Sequence, residues 1–255
     1  MNRKQDTCVN CRTSSIVGRF VGRWSLVILL SLAIPLGLAI VVVIGSDAVL
    51  AQTDAVKPGN WISLFDGKSL AGWKITEFGG EGAVAVEQRK LVLGIGSPLT
   101  GVTYRGSVEL PQFDYEVRLE ARRVDGTDFF CGLTFPYRTS HCTLILGGWG
   151  GGLVGLSSLA GLDASENETT SYHTFKANQW YDVRLRVRDG TIYAWIDGKQ
   201  CIVCAVRGRV VDTRAEVIRS KPLGLACFQT KAEIRNVRLK HLPPLKANGG
   251  EITDD

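Results

Sequence analysis

Residues able to do chemistry concentrate between positions 141 and 173. Gly147-Gly148-Trp149-Gly150-Gly151-Gly152, continuing to Gly155, surrounds one indole with glycines, which let a backbone approach a ligand closely. Trp149 is then either the exposed tip of a tight strand connection or a platform that stacks on the apolar face of a pyranose. No Gly-Lys-Ser/Thr and helix follow, which excludes a phosphate-binding P-loop. Downstream, Gly161 to Thr169 carries three carboxylates, Asp163, Glu166 and Glu168. Such a loop can hold Ca²⁺, supply an acid and a base for glycoside chemistry, or simply face solvent, and its spacing matches no calcium motif. His141 and His173 flank it and could donate protons or bind metal. They lie 32 residues apart without HxH or HExxH spacing, which favours structural roles. Arg105 and Arg138 could grip hydroxyls or a carboxylate, or serve as ordinary surface charges. Asn167-Glu168-Thr169 has the form of a glycosylation sequon, meaningful only in a eukaryotic secretory pathway.

Other chemistries find no support. There is no Gly-x-Ser-x-Gly elbow and no Cys/His nucleophile signature. Cys8 and Cys11 form a lone CxxC without the two further ligands a zinc site needs or the βαβ context of a redox motif, and they read as free thiols in a tail. Of the other cysteines, Cys131 and Cys142 flank an expected hairpin and are the best-placed pair for a disulfide if register allows. The net charge is +5, but the first 51 residues carry five basic and two acidic side chains, leaving 25 basic against 23 acidic beyond. Those alternate along strands, as Arg184, Arg186 and Arg188 do, so no nucleic-acid partner is expected.

The elements that must position these residues begin with an apolar one. Ser25 to Ile44 is a 20-residue run without charge, preceded by Arg19 and Arg23. As a helix it spans about 30 Å, enough to cross a bilayer core. Its length favours an uncleaved anchor, whereas Val49-Leu50-Ala51 offers a cleavage site before Gln52. Either way residues 1–24 stay in the cytoplasm and the remainder is translocated. Residues 45–59 read as a linker, 60–242 as one folded domain and 243–255 as a disordered tail.

Within the domain the period is two. Tyr115–Arg122 and Tyr181–Arg188 alternate apolar and charged residues without error, so each strand has one face in a core and one in water. Asp189-Gly190 and Asp197-Gly198 join Tyr181–Arg188, Thr191–Ile196 and Lys199–Val206 into a three-stranded meander, since Gly supplies the positive φ of two-residue turns. Further strands are expected at Trp61–Phe65, Ala83–Val86, Lys90–Leu93, Phe129–Phe135, Cys142–Leu146, Leu223–Phe228 and Ala232–Leu239. No long 3.6-residue period follows residue 51, so the domain is all-β, a sandwich or a closed barrel.

Two stretches carry a family resemblance. Trp61-Ile62-Ser63-Leu64-Phe65-Asp66-Gly67-Lys68-Ser69-Leu70-Ala71-Gly72-Trp73 resembles the opening motif of the 3-keto-disaccharide hydrolase domain family. Pro222 to Gln229 and Ile234 to Leu239 are similar to its closing strands, and Asn178–Tyr181 through Ile196–Lys199 to its central hairpin. The resemblance implies a concanavalin A-like jelly-roll β-sandwich, here preceded by one N-terminal signal or anchor helix. It further implies export and action on 3-keto-glucosides, as a hydrolase or as a lyase and hydratase. In the motif, Leu64 and Phe65 should enter the core, Asp66-Gly67 should turn the chain, and Trp73 should cover the sandwich end. The middle departs from the pattern. Asp125 to Gly132 stands where members carry Asn-Ser-Gly, and His141 to Trp149 has no carboxylate where members present a glutamate and an aspartate.

The combined expectation is an extracytoplasmic carbohydrate-active domain. Trp149, Arg105 and Arg138 would bind the sugar, while Asp163, Glu166, Glu168 and His141 would supply proton transfer or contacts to a divalent metal such as Ca²⁺. A non-catalytic, lectin-like glycan-binding module is the alternative, and a structural or partner-binding envelope domain is the third.

Overall fold

The computed structural model describes residues 59–245. The apolar run Ser25–Ile44, the Cys8/Cys11 pair and the tail from residue 246 lie outside the described residues. Among those described, no helix is long and apolar enough to cross a membrane.

Fifteen strands follow in order among the described residues: β1 (Trp61–Ser63), β2 (Trp73–Ile75), β3 (Val84–Glu87), β4 (Lys90–Leu93), β5 (Leu99–Tyr104), β6 (Tyr115–Gly126), β7 (Cys131–Tyr137) and β8 (Ser140–Gly147), then β9 (Leu153–Ser157), β10 (Ser171–Tyr172), β11 (Tyr181–Arg188), β12 (Thr191–Ile196), β13 (Lys199–Ala205), β14 (Gly224–Phe228) and β15 (Thr230–His241). They form two antiparallel sheets packed as a sandwich. The first runs β13-β12-β11-β6-β15-β4-β3, with β1 beside β15, and the second runs β10-β9-β8-β7-β14-β5-β2. The chain passes repeatedly from one sheet to the other, in the manner of a jelly roll.

The alternating strands behave as their patterns require. Val117, Leu119 and Ala121 of β6 and Val183, Leu185 and Val187 of β11 face the core, while their charged neighbours face out. In β15 the alternation breaks after Ile234 and resumes at Val237. Asn236, at φ 55°, is the extra residue of a bulge that restores Val237 and Leu239 to the core. The opening motif also closes as expected. Leu64, Phe65 and Trp73 are buried, and the Trp73 indole donates to the Leu64 carbonyl at 2.7 Å. The Asp66 carboxylate accepts the N–H groups of Lys68 and Ser69, fixing the turn.

β2, β5, β9 and β10 were not foreseen. β5 (LTGVTY) and β9 (LVGLS) are buried on both faces, so no apolar–polar alternation marks them. The expected Cys131–Cys142 disulfide is corrected. Cys131 pairs with Leu146 and Cys142 with Phe135, placing the two cysteines at opposite ends of the β7–β8 hairpin. Four residues of strand separate them, about 13 Å, well beyond bonding reach. All five described cysteines are free thiols, and burial pushes those of Cys131, Cys142 and Cys227 up to about 12. Alkylation under denaturing, non-reducing conditions is therefore expected to label Cys131 and Cys142 completely, with little labelling of the native protein. A cross-linked Cys131–Cys142 peptide in mass spectrometry would contradict this.

Candidate functional site

On the outer face of the second sheet, the residues that alternate with its core positions are mostly small or hydroxylated. They include Gly101 and Thr103 of β5, Gly132 and Thr134 of β7, Thr143 of β8, Gly155 and Ser157 of β9, and Gly224 and Ala226 of β14. A Cβ at Gly155 would lie 2.8 Å from the Ala164 carbonyl oxygen, and one at Gly224 would lie 2.5 Å from that of Ser220. One at Gly132 would lie 3.0 Å from the Phe129 ring. The glycines thus let the loop over residues 158–170, the short 3-10 helix Ala215–Ser220 and Phe129 lie directly on the sheet.

Between these covers a cavity of about 210 Å³ stays open. Its buried floor is Leu99, Phe129, Thr143, Ile145 and Ser157, largely apolar with two hydroxyls. The Thr143 hydroxyl lies 3.0 Å from that of Thr134, and Ser157 donates to Asp163 at 3.0 Å. The more open side is formed by Trp149, Asp128, Arg214 and Glu216, with Phe228 and Val217 between.

Trp149 owes its place to the glycine run. Gly147, Trp149, Gly150 and Gly151 all have positive φ, with Trp149 at φ 46° and ψ 60°, and this reverses the chain from β8 into β9. A tryptophan in the left-handed region costs about 1–3 kcal/mol. The surrounding structure enforces it: the Arg123 guanidinium, packed over Phe130, donates to the Gly151 carbonyl. Side chains at Gly147 or Gly151 would collide with Arg123, each Cβ falling 2.7 Å from it. The indole is 45% exposed at the cavity mouth.

Arg214 is the cation of the site. Its guanidinium bridges two carboxylates, pairing with Asp163 on one side and with Glu216 at 2.8 Å on the other. Asp163 is largely covered, whereas Glu216 is half exposed. The bond from Arg214 holds the Glu216 carboxyl below the usual range. Asp128 accepts the N–H of Phe129 at 2.7 Å.

The structure brings two of the sequence-selected residues to this cavity, Trp149 directly and Asp163 through Ser157 and Arg214. The three loop carboxylates do not converge. Glu166 is exposed and accepts the Asp163 N–H at 3.3 Å, and Glu168 pairs with Arg209 and the Cys204 thiol at the edge of the first sheet. His141 shares the strand face of Thr143 but lies near Lys221 and Asp212, outside the lining, and burial lowers its pKa. Arg105 donates to the carbonyls of Tyr104 and Lys221 in a separate cleft. Arg138 sits in the exposed β7–β8 turn. His173 packs on Phe175, with ring centroids 4.5 Å apart. The Asn167 amide is buried and donates to the Leu156 and Asp163 carbonyls, so the sequon residue serves to pin its loop. Among the described residues no group of three or more His, Cys, Asp or Glu side chains is arranged to share a metal.

Asp128, Ser157, Arg214 and Glu216 escaped the sequence reading. Arg214 and Glu216 sit in a segment with no strand or turn signal. Thr143 and Ser157 could have been suspected as hydroxyls on the second face of otherwise apolar strands.

Residues 60–240 match the model of a family described as the 3-keto-alpha-glucoside-1,2-lyase-like domain. No curated protein matches the chain. Among solved structures, a Crh5 transglycosylase in complex with NAG is similar at 11% identity and TM-score 0.49, over 72% of this chain and 84% of that one. A Bacillus subtilis protein with a galectin-like fold is similar at 12% identity and TM-score 0.48, over 72% and 96%. The carbohydrate binding module CBM66 from Bacillus subtilis follows at 14% identity and TM-score 0.40, over 67% and 96%.

The position of Glu168 has a measurable consequence. Arg209 lowers its pKa from the ordinary 4.5 to about 2. A carboxyl depressed by folding stabilises the folded state above its unfolded value and loses that contribution as pH falls through the folded one. With the two side chains 32% and 52% exposed, the pair contributes about 1 kcal/mol or less. Glu168→Gln is expected to cost that much at pH 7, with the difference from wild type fading between pH 4.5 and 2 in denaturant titrations. A difference that stays constant with pH would contradict the assignment.

Proposed function

Because the chain belongs to the 3-keto-alpha-glucoside-1,2-lyase-like domain family, we propose that its cavity takes the glycosyl ring of a 3-keto-α-glucoside outside the cytoplasm. The observation that carries the reading is an arginine at the mouth of an apolar, hydroxyl-bearing cavity, with a tryptophan held over it at the cost of backbone strain. The volume is below the roughly 300–1,000 Å³ of drug-sized ligand sites, in keeping with one ring and an aglycone left in solvent.

The chemistry of a 1,2-elimination states what such a site must provide. A ketone at C3 acidifies the proton on C2. A base removes that proton, the electron pair moves toward the C3 oxygen as an enolate, and collapse forms the C1–C2 double bond as the C1–O bond breaks. The departing oxygen takes up a proton. Arg214 offers preorganised donors to the enolate oxygen, where charge develops. Asp128 and Glu216 are the carboxylates beside the cavity able to accept the C2 proton and return it to the leaving group. Trp149 stacks on the ring, Thr143 and Ser157 bond its hydroxyls, and Asp163 acts as a positioning residue through Arg214. The apolar run Ser25–Ile44 supports placement outside the cytoplasm.

A second reading, a glycan-binding module without turnover, draws on one observation. Glu216 is already paired with Arg214, and Asp128 accepts the Phe129 N–H, so neither carboxylate is free in this state. A p-nitrophenyl 3-keto-α-glucoside separates the two by release of nitrophenolate. The lyase reading expects turnover, with Arg214→Met lowering kcat/KM about 100-fold and Trp149→Ala acting mainly on KM. Binding without turnover, lost in Trp149→Ala, would select the module. Absence of both would refute the site.

A further inference from the structure

The outer face of the first sheet carries more positive charge than its own pairing uses. Across Glu116–Arg122, Asp182–Arg188 and Glu233–Lys240 the outward positions hold eight arginine or lysine side chains and four carboxylates. Register sets Arg184 directly opposite Arg118, and Arg118 directly opposite Arg238. Like charges in that relation destabilise a sheet. Asp182 relieves the middle one, accepting the Arg118 Nε at 2.7 Å and Nη2 at 2.7 Å. Arg184 and Arg238 form no ion pair among the described residues. Their guanidinium groups lie over the rings of Trp195 and Trp61, 3.8 and 4.9 Å from the centroids, and each buries an Nε without a partner. Shallow hollows of about 370 and 420 Å³ adjoin them at either end of the row.

An arginine stacked on an indole is held still with its Nη donors outward, prepared to take two oxygens of a carboxylate or sulfate bidentately. We propose that this face docks an acidic polysaccharide, its carboxylate or sulfate groups seated on Arg184 and Arg238 and its hydroxyls on the interleaved carboxylates. The mixed surface decides the partner class. The indole faces are already covered, which removes the stacking platforms that single-stranded nucleic acid uses. Glu120 and Asp182 would repel a dense phosphate backbone or an anionic lipid surface, whereas sugar hydroxyls donate to them. The docking face is separate from the cavity on the second sheet.

The full chain, purified in a neutral detergent, would be tested against immobilised polygalacturonate and dextran sulfate, the two arms separating carboxylate from sulfate. Neutral dextran, a single-stranded oligonucleotide and phosphatidylserine vesicles serve as comparisons. Salt-sensitive binding to at least one acidic polysaccharide is expected, weakened at least tenfold in both R184Q/R238Q and R184K/R238K and unchanged in W149A. The lysine pair keeps the charge, so its loss of binding distinguishes bidentate seating from simple attraction. Binding to neither acidic polymer, equal binding to the oligonucleotide or the vesicles, or full binding by the lysine pair would overturn the proposal.

Discussion

The site depends on a packing constraint in the second sheet: one face must close on the core while the other lets loops lie against it. Glycine at positions 132, 155 and 224 meets that demand, because any side chain there would strike the covering segment. The loop over 158–170 and the 3-10 helix Ala215–Ser220 therefore rest on the strands themselves. Where Thr143 and Ser157 take the place of glycine, the covers leave a gap, and that gap is the cavity. Its depth follows from how little side chain the sheet presents, and its polarity from which few hydroxyls it retains.

The electrostatics of the two outer faces follow from the same division. On the second sheet the polar groups are few, and one half-exposed guanidinium, Arg214, is shared between a covered carboxylate and a half-exposed one. On the first sheet charge is spread over many ion pairs, from the part-exposed Arg118–Asp182 pair to Glu116, buried between Arg186 and Lys240. One side is built to concentrate a few polar groups in a small volume, the other to present many over a wide area.

Much of the fold could be read from the sequence because half-buried antiparallel strands announce themselves. Tyr115–Arg122, Tyr181–Arg188 and the Asp-Gly turns were legible residue by residue. β5 and β9 were not, since a strand covered on both faces has no polar side to alternate with. The same blindness hid much of the site. Ser157 lies on such a strand, and Arg214 and Glu216 come from a connection without periodicity. Trp149 was visible because glycines isolate it, and Asp163 because carboxylates cluster around it. Which of those carboxylates faces the cavity could not be read, because it is decided by Asn167 pinning the loop and by arginines arriving from residues 209 and 214.

The claim that the second-sheet cavity is where a sugar ring binds is tested most directly by the indole resonances of the folded protein. In a titration with methyl 3-keto-α-glucoside, the signal assigned to Trp149 by its absence in Trp149→Phe should shift saturably. The signals of Trp61 and Trp195 on the opposite face should stay in place. Saturable binding that leaves Trp149 unmoved, or that moves only Trp61 and Trp195, would contradict the placement of the site.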